Sequence, residues 1–248
     1  MYIFVTVQEK ERYYADGPAG CNKARLELAS RERCLVVPYQ EFDMALVQDL
    51  QPRAVVMSGF GGHIQSRKVR WFLGIDEVLH KVDLPILCIC GSHQVLGFSF
   101  NKDLRRVRQL RDEPIRKIKP NEDFPHRAQG DPKYDLSGFF VADGFFPITR
   151  IKPDPIFGGL PKRMIMRCSH YCEVKKLPPS FELLASSAHC QIEAMRHRER
   201  PLYGTQFHPE AYEAPFFHGR MLLENFAKIV RDFWATRDSA RASRRTSG

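Results

Sequence analysis

An α/β fold of three layers, with a doubly wound and mostly parallel sheet, is predicted by three observations. Short apolar, β-branched runs alternate with helical patterns through the first hundred residues, which is the order of βαβ units. Two of these runs, AVVM at 54–57 and PILCI at 85–89, are apolar throughout, as strands covered on both faces by helices must be. A chain of 248 residues, 43% apolar and 27% charged, is long enough for one sizeable core and too apolar to be disordered. The expected architecture is flavodoxin-like, and in such sheets the reactive groups collect at the carboxyl ends of the strands.

The elements follow in order. The segment MYIFVTVQEKE has no basic stretch ahead of its apolar run, so Tyr2 to Val7 reads as a first strand and not as a signal peptide. A helix over Lys23–Ala29 follows. Strand Cys34–Val37 leads to helix Glu41–Leu50, strand Ala54–Met57 to helix Arg67–His80, and strand Pro85–Ile89 to helix Ser92–Phe100. Residues 101–135 break the rhythm with a basic run and then KPNEDFPHRAQGDPKYD, rich in Pro, Asp and Gly, which predicts an inserted surface segment or lid. From Gly138 the chain turns β-rich through GFFVADGFFPITRI, MIMRCSHY, ELLASSAHCQIEAMRH and LYGTQFH, adding strands to the same sheet before a last helix from Phe216 to Trp234. Residues 1–235 therefore form one domain, and the polar tail 236–248 is expected to be disordered.

The net charge of +9 invites a nucleic-acid partner, but its distribution argues against one. Eight of the nine net charges lie in 101–120 and 237–248, leaving a nearly neutral body. The basic run has no interleaved aromatic residue, so it is expected to be a solvated face or docking surface and no nucleic-acid binding is predicted. The longest apolar runs, 54–57 and 84–90, fall far short of the roughly 18 residues of a membrane span. Seven cysteines at irregular spacing predict free thiols and a reducing cytoplasm rather than a disulfide framework.

Chemistry is expected at Cys90, which ends an apolar strand just before a helix and so stands on a tight strand-to-helix elbow. Such a turn needs small residues two before and two after the nucleophile, here Cys88 and Ser92. The positive end of the following helix favours negative charge on the sulfur, and the Gly91 N–H points where an oxyanion would form. A cysteine nucleophile needs a base, and YGTQFHPE offers His208 with Glu210 two residues on, facing the same side of an extended chain. Nucleophile, base and orienting carboxylate then make a triad of Cys90, His208 and Glu210.

The run CICGSHQVLG followed far downstream by GTQFHPE resembles the class I glutamine amidotransferases, whose motifs read GICxGHQ and QFHPE. SGFGG after the third strand resembles that family's glycine turn, and HGRMLLENF its closing helix. CSHYCEVKKLPPSFELLASS is similar to the SHGDxVxxLPxGFxxxAxS of the glutaminase domains of GMP synthases. The resemblance covers residues 53–100 and 155–230. It implies that Cys90 attacks the γ-carboxamide of glutamine to form a γ-glutamyl thioester, with His208 moving the protons. It implies an oxyanion hole at Gly91 and the turn Gly59, Phe60 and Gly61, with the donating N–H of that turn left open. It implies that Gln94, Ser169 and His170 hold the glutamyl head group. Two departures stand out: Cys88 and Ser92 replace the family's elbow glycines, and Tyr171-Cys172 replaces its Gly-Asp.

No metal or organic cofactor is expected. Cys168, His170 and Cys172 would share a face of an extended segment, but no second ligand pair at zinc-finger spacing accompanies them. Cys88 reads as core, and His63, His80, His126, His189, His197 and His218 as core or solvated residues. Family members of this kind feed ammonia to a synthetase, so the resemblance implies a separate synthetase partner. Two rival readings stay open on the sequence: a free-standing hydrolase of γ-glutamyl amides or peptides, and a glutaminase-like regulatory or scaffold protein.

Overall fold

The computed structural model describes residues 1–17, 22–122, 136 and 138–246. Among these residues nine strands form one sheet: β1 (Tyr2–Thr6), β2 (Cys34–Pro38), β3 (Ala54–Met57), β4 (Ile86–Ile89), β5 (Ala142–Arg150), β6 (Arg163–His170), β7 (Phe181–Ser186), β8 (Ala194–His197) and β9 (Leu202–Thr205). Their order across the sheet is β2-β1-β3-β4-β9-β8-β7-β5-β6. Pairing is parallel from β2 through β9 and antiparallel from β9 through β6. The sheet is thus evenly mixed where a mostly parallel one is expected. The reason lies in the connections: the links between β5 and β9 contain no α-helix to carry the chain back over the sheet, so neighbouring strands there pair antiparallel.

Six α-helices among the described residues cover it: α1 (Lys10–Asp16), α2 (Asn22–Ser30), α3 (Met44–Leu50), α4 (Leu73–Lys81), α5 (Gly91–Asn101) and α6 (His218–Thr246). The apolar strands serve both faces by strict alternation. Ile3, Val5, Val55, Met57, Ile86 and Cys88 face a core completed by Val47 of α3, Ile75, Val78 and Leu79 of α4, and Val95 and Leu96 of α5. Tyr2, Phe4, Ala54, Val56, Leu87 and Ile89 face the opposite core, completed by Leu26 of α2 and Leu222, Leu223, Phe226 and Val230 of α6. This is the three-layer arrangement the apolar runs predict.

Several boundaries move. Helix α1 is not anticipated by the sequence pattern. The segments expected to begin helices at Glu41 and Arg67 start instead with 3₁₀ turns, Tyr39–Glu41 and Val69–Phe72. For α3, the Asp43 side chain caps the helix by accepting from the Leu46 N–H at 2.9 Å, which sets its start. ELLASSAHCQIEAMRH folds as the hairpin β7–β8. Two corrections concern larger pieces. Part of the expected insertion, 101–122, packs into the body, with Leu104, Leu110 and Ile115 buried; the remainder, 123–135, including His126, lies outside the described residues. The tail expected to be disordered from 236 continues α6 through Thr246, and only 247–248 lie outside the description.

Candidate active site

Cys90 joins β4 to α5 with φ 50° and ψ −107°, a conformation that an L residue adopts only when its surroundings force it. They do so from both sides. The Cys90 N–H donates to Thr205 O of β9 at 2.7 Å, and its carbonyl accepts from Gln94 N in the first turn of α5 at 3.1 Å. Ser92, standing where a glycine is usual, ties the elbow to the next strand: its Oγ donates to Ser58 O at 2.5 Å. Ser58 in turn donates to Gly59 O at 2.8 Å and accepts from Val7 N at 3.1 Å. Cys88 is fully buried in the core as expected.

His208 follows β9, and its N–H donates to Arg167 O of β6 at 2.8 Å. Its Nδ1 and Oε1 of Glu210 are 2.7 Å apart, so the carboxylate orients the ring. Glu210 is itself buried, and Arg25 of α2 holds its backbone carbonyl at 2.6 Å. Burial opposes charge on His208, yet the Glu210 carboxylate and the neighbouring Cys90 outweigh it and hold the imidazole well above its usual pKa. The ring's Nε2 is left buried without a formed hydrogen bond. The Cys90 sulfur makes only long contacts, 3.9 Å to Ser169 O and 3.6 Å to the Gln206 amide. Such loose pairing is common in a resting site and tightens when substrate arrives. Gly59 completes the arrangement: a Cβ there would stand 3.0 Å from both Cys90 Cβ and His208 Cε1, so only glycine leaves these two side chains undisplaced.

A cavity of about 260 Å³ opens on Cys90. Of the oxyanion candidates, Phe60, Gly61 and Gly91 line it, whereas Gly59 is packed behind the Cys90–His208 pair. As the first residue of α5, Gly91 carries an N–H with no partner inside the helix. Gln94, Ser169 and His170 also line the cavity. Two of them are already engaged: Gln94 donates to Cys172 O at 3.3 Å and Gln206 Oε1 at 3.4 Å, and His170 Nδ1 meets Cys172 O at 2.9 Å. Burial pushes the His170 imidazole down to about 3, so it stays neutral. Cys172 does not share the face of Cys168 and His170, because β6 ends at His170 and the chain turns.

Residues the sequence reading overlooks also shape the cavity. Asp112, an acid inside the basic run, accepts from Tyr171 Oη, receives the Ile64 N–H at 2.8 Å and lies 2.5 Å from His63 Nδ1. Tyr171 Oη and His63 Nδ1 are 2.8 Å apart. Burial and Asp112 push the Tyr171 hydroxyl's pKa far up, so it remains a donor. Asp143 also lines the cavity, paired with Arg167 at 2.5 Å. Asp112 and Asp143 have no local sequence signal; only the departure at Tyr171 marks this wall. Gln206 sits within the motif around His208 and is legible there in retrospect.

Comparison with known proteins finds the same architecture and motifs elsewhere. The family described as "Glutamine amidotransferase class-I" matches residues 24–230. The glutamine-hydrolysing GMP synthase subunit of Pyrococcus abyssi is 51% identical over 186 residues, covering 74% of this chain and 78% of that protein. The protein of the same description from Pyrococcus furiosus is 32% identical over 183 residues, with the same coverage. Among solved structures, one assigned as a GMP synthase subunit from Thermoplasma acidophilum superposes with a TM-score of 0.68 at 22% identity, covering 96% of this chain and 98% of that one.

Proposed function

The chain belongs to the class I glutamine amidotransferases, and on that premise we propose that it hydrolyses the γ-carboxamide of glutamine through Cys90. The observation that carries the reading is a strained Cys90 elbow that opens on the cavity, with His208 of a buried His208–Glu210 pair, 2.7 Å apart, packed beside Cys90 at Gly59. The Cys90 thiolate attacks the amide carbon, and the carbonyl oxygen takes up negative charge beside the Gly91 N–H. Collapse breaks the C–N bond, and His208 gives a proton to the departing ammonia. Water then attacks the γ-glutamyl thioester, His208 accepts its proton, and glutamate leaves as the Cys90 thiolate returns. General acid–base help of this kind contributes about 10²- to 10⁴-fold, and one oxyanion donor about 10²- to 10³-fold.

The ammonia goes to a separate synthetase in this reading, as the relatives' description as the glutamine-hydrolysing part of a multi-subunit GMP synthase suggests. The Tyr171–Asp112–His63 wall favours one second reading, a γ-glutamyl amide hydrolase with a remodelled pocket, because it stands where related sequences have Gly-Asp. One assay separates them. Ammonia release from glutamine is measured for the parent and Cys90→Ala, alone and with the synthetase component of a GMP synthase, beside a panel of γ-glutamyl amides. The proposal expects glutamine turnover lost in Cys90→Ala and stimulated by the synthetase. Turnover of other γ-glutamyl amides at the expense of glutamine, without stimulation, would support the hydrolase; unaltered turnover in Cys90→Ala would overturn both.

A further inference from the structure

Beyond β9 the sheet curls until Arg167 of β6 bridges His208. Side chains directed inside this curl are shut off from water, and four of them are chemically unusual company. Cys168 and His170 of β6, with His189 and Glu193 from the β7–β8 connection, each bring one ligand atom within 4.8 Å of the other three. Cys168 and Glu193 are 0% exposed and His170 is 5% exposed.

Their polar atoms are not satisfied by one another. Neither Glu193 carboxylate oxygen has a hydrogen-bond partner, nor has Nε2 of His170 or of His189. The nearest approach, His189 Nε2 to Glu193 Oε1, is 3.8 Å. The Cys168 sulfur reaches only Met166 O, at 4.0 Å. The Ser187 hydroxyl near Glu193 is turned to the backbone of Cys190, with contacts of 3.0 and 3.5 Å. A buried carboxylate without a donor is costly, and native folds rarely keep one unless something else completes it.

We propose that Cys168 Sγ, His170 Nε2, a ring nitrogen of His189 and a carboxylate oxygen of Glu193 bind one divalent cation of borderline softness, zinc foremost, in a closed tetrahedral site. One thiolate, two imidazoles and one carboxylate form a donor set suited to zinc, and the two negative charges balance the cation so that burial is tolerable. Tetrahedral arms of about 2.0–2.3 Å place neighbouring ligand atoms about 3.3–3.8 Å apart, a modest contraction of the cluster. His170 already has the support a metal-ligating histidine needs: its Nδ1 lies 2.9 Å from Cys172 O, which leaves Nε2 for the ion. Binding replaces the protons of the Cys168 thiol and of the buried Glu193 carboxyl, both of which pass to solvent. With four protein ligands no position is open for substrate, so the ion is structural. It pins β6, whose Ser169 carbonyl faces the Cys90 sulfur, to the β7–β8 connection, and thereby positions one wall of the cavity.

The test uses the whole chain, expressed with added zinc, freed of loose metal by gel filtration and analysed by elemental mass spectrometry. About one zinc per chain is expected in the parent and in Cys90→Ala, with affinity at least about tenfold weaker in His189→Ala and Glu193→Gln. Cobalt exchanged into the parent is expected to show a thiolate-to-cobalt charge-transfer band that Cys168→Ser abolishes. Circular dichroism checks that each variant is folded, and the cobalt spectrum of the parent requires no variant. No bound metal after incubation with zinc, or a parent lacking the thiolate band, overturns the proposal. So does full occupancy in Cys168→Ser and His189→Ala, or loss of metal in Cys90→Ala, which would place the ion at the nucleophile. None of these readouts depends on glutamine turnover.

Discussion

His93 lies so close to Gly204 that a Cβ on Gly204 would stand 2.3 Å from the ring's Nδ1. The imidazole is fully buried behind the nucleophile elbow, its Nε2 3.0 Å from Ile192 O, and burial pushes its pKa down to about 4. In the unfolded chain the same ring titrates near 6.5, so the unfolded state takes up a proton first as pH falls. The stability that neutral His93 contributes is therefore complete above about pH 6.5 and lost as pH falls through about 4, a total of about 3 kcal/mol. Urea unfolding between pH 7 and 4 should show a shallower loss in His93→Gln than in the parent; parallel losses would remove His93 from the account.

Glu210→Gln keeps the shape beside His208 but removes the charge. Hydrolysis of glutamine is expected to fall about 10²- to 10⁴-fold, because the ring loses its preferred tautomer and the support for its charged form. The linkage has the opposite sign from that of His93. His208 has a raised pKa, so its contribution to stability is full below about pH 6.5 and lost as pH rises through the folded-state value. Glu210→Gln should erase that alkaline dependence. A kcat within twofold of the parent would show that Glu210 does not orient the base.

Gly59→Ala introduces a methyl group 3.0 Å from both Cys90 and His208. Those side chains must yield by a few tenths of an ångström, and a displacement of this order at reacting groups costs about tenfold in kcat. Unchanged circular dichroism with a reduced kcat is the expected pair of results; an unaltered kcat would mean the pair tolerates the shift.

Asp112→Asn weakens the tie between the 101–122 segment and Tyr171 at the cavity wall. We expect KM for glutamine to rise about fivefold, equivalent to about 1 kcal/mol, with kcat little changed. A fall in kcat at constant KM would instead give Asp112 a part in the transition state.

Removal of residues 239–248 from the end of α6 should leave the melting temperature and the glutamine turnover unchanged. Among the described residues, the last ion pair to the body in that region is Arg237 to Asp83, and it joins a partly exposed side chain to an exposed one, a class worth little in water. A drop of several degrees would assign the helix end a packing role.

The segments of the proposed triad were legible because their signals are local. Cys90 needs only an apolar strand before it and a helix after it, whereas Glu210 reaches His208 through the 3₁₀ turn Pro209–Ala211 and not along the extended segment that the spacing of two predicts. The parallel half of the sheet was legible for the same reason, through AVVM and PILCI. Asp112 and Asp143 were not, because a single acid in a polar stretch has no periodicity to betray it. Nor was the Cys168–His170–His189–Glu193 cluster: local spacing suggested Cys172 as the companion of Cys168 and His170, and the end of β6 turned it away.

By itself, then, the sequence determined the strand–helix alternation, the two-faced burial of the parallel strands, and the segments that carry Cys90 and His208, all of which follow from side-chain periods and short-range backbone geometry. The tertiary structure alone decided the even division between parallel and antiparallel pairing, the joining of 101–122 to the cavity wall, and the gathering of buried ligand atoms inside the curl of β6 around His208. These depend on which strands pair across distant parts of the chain. Closure of the sheet determines that, and no local pattern encodes it.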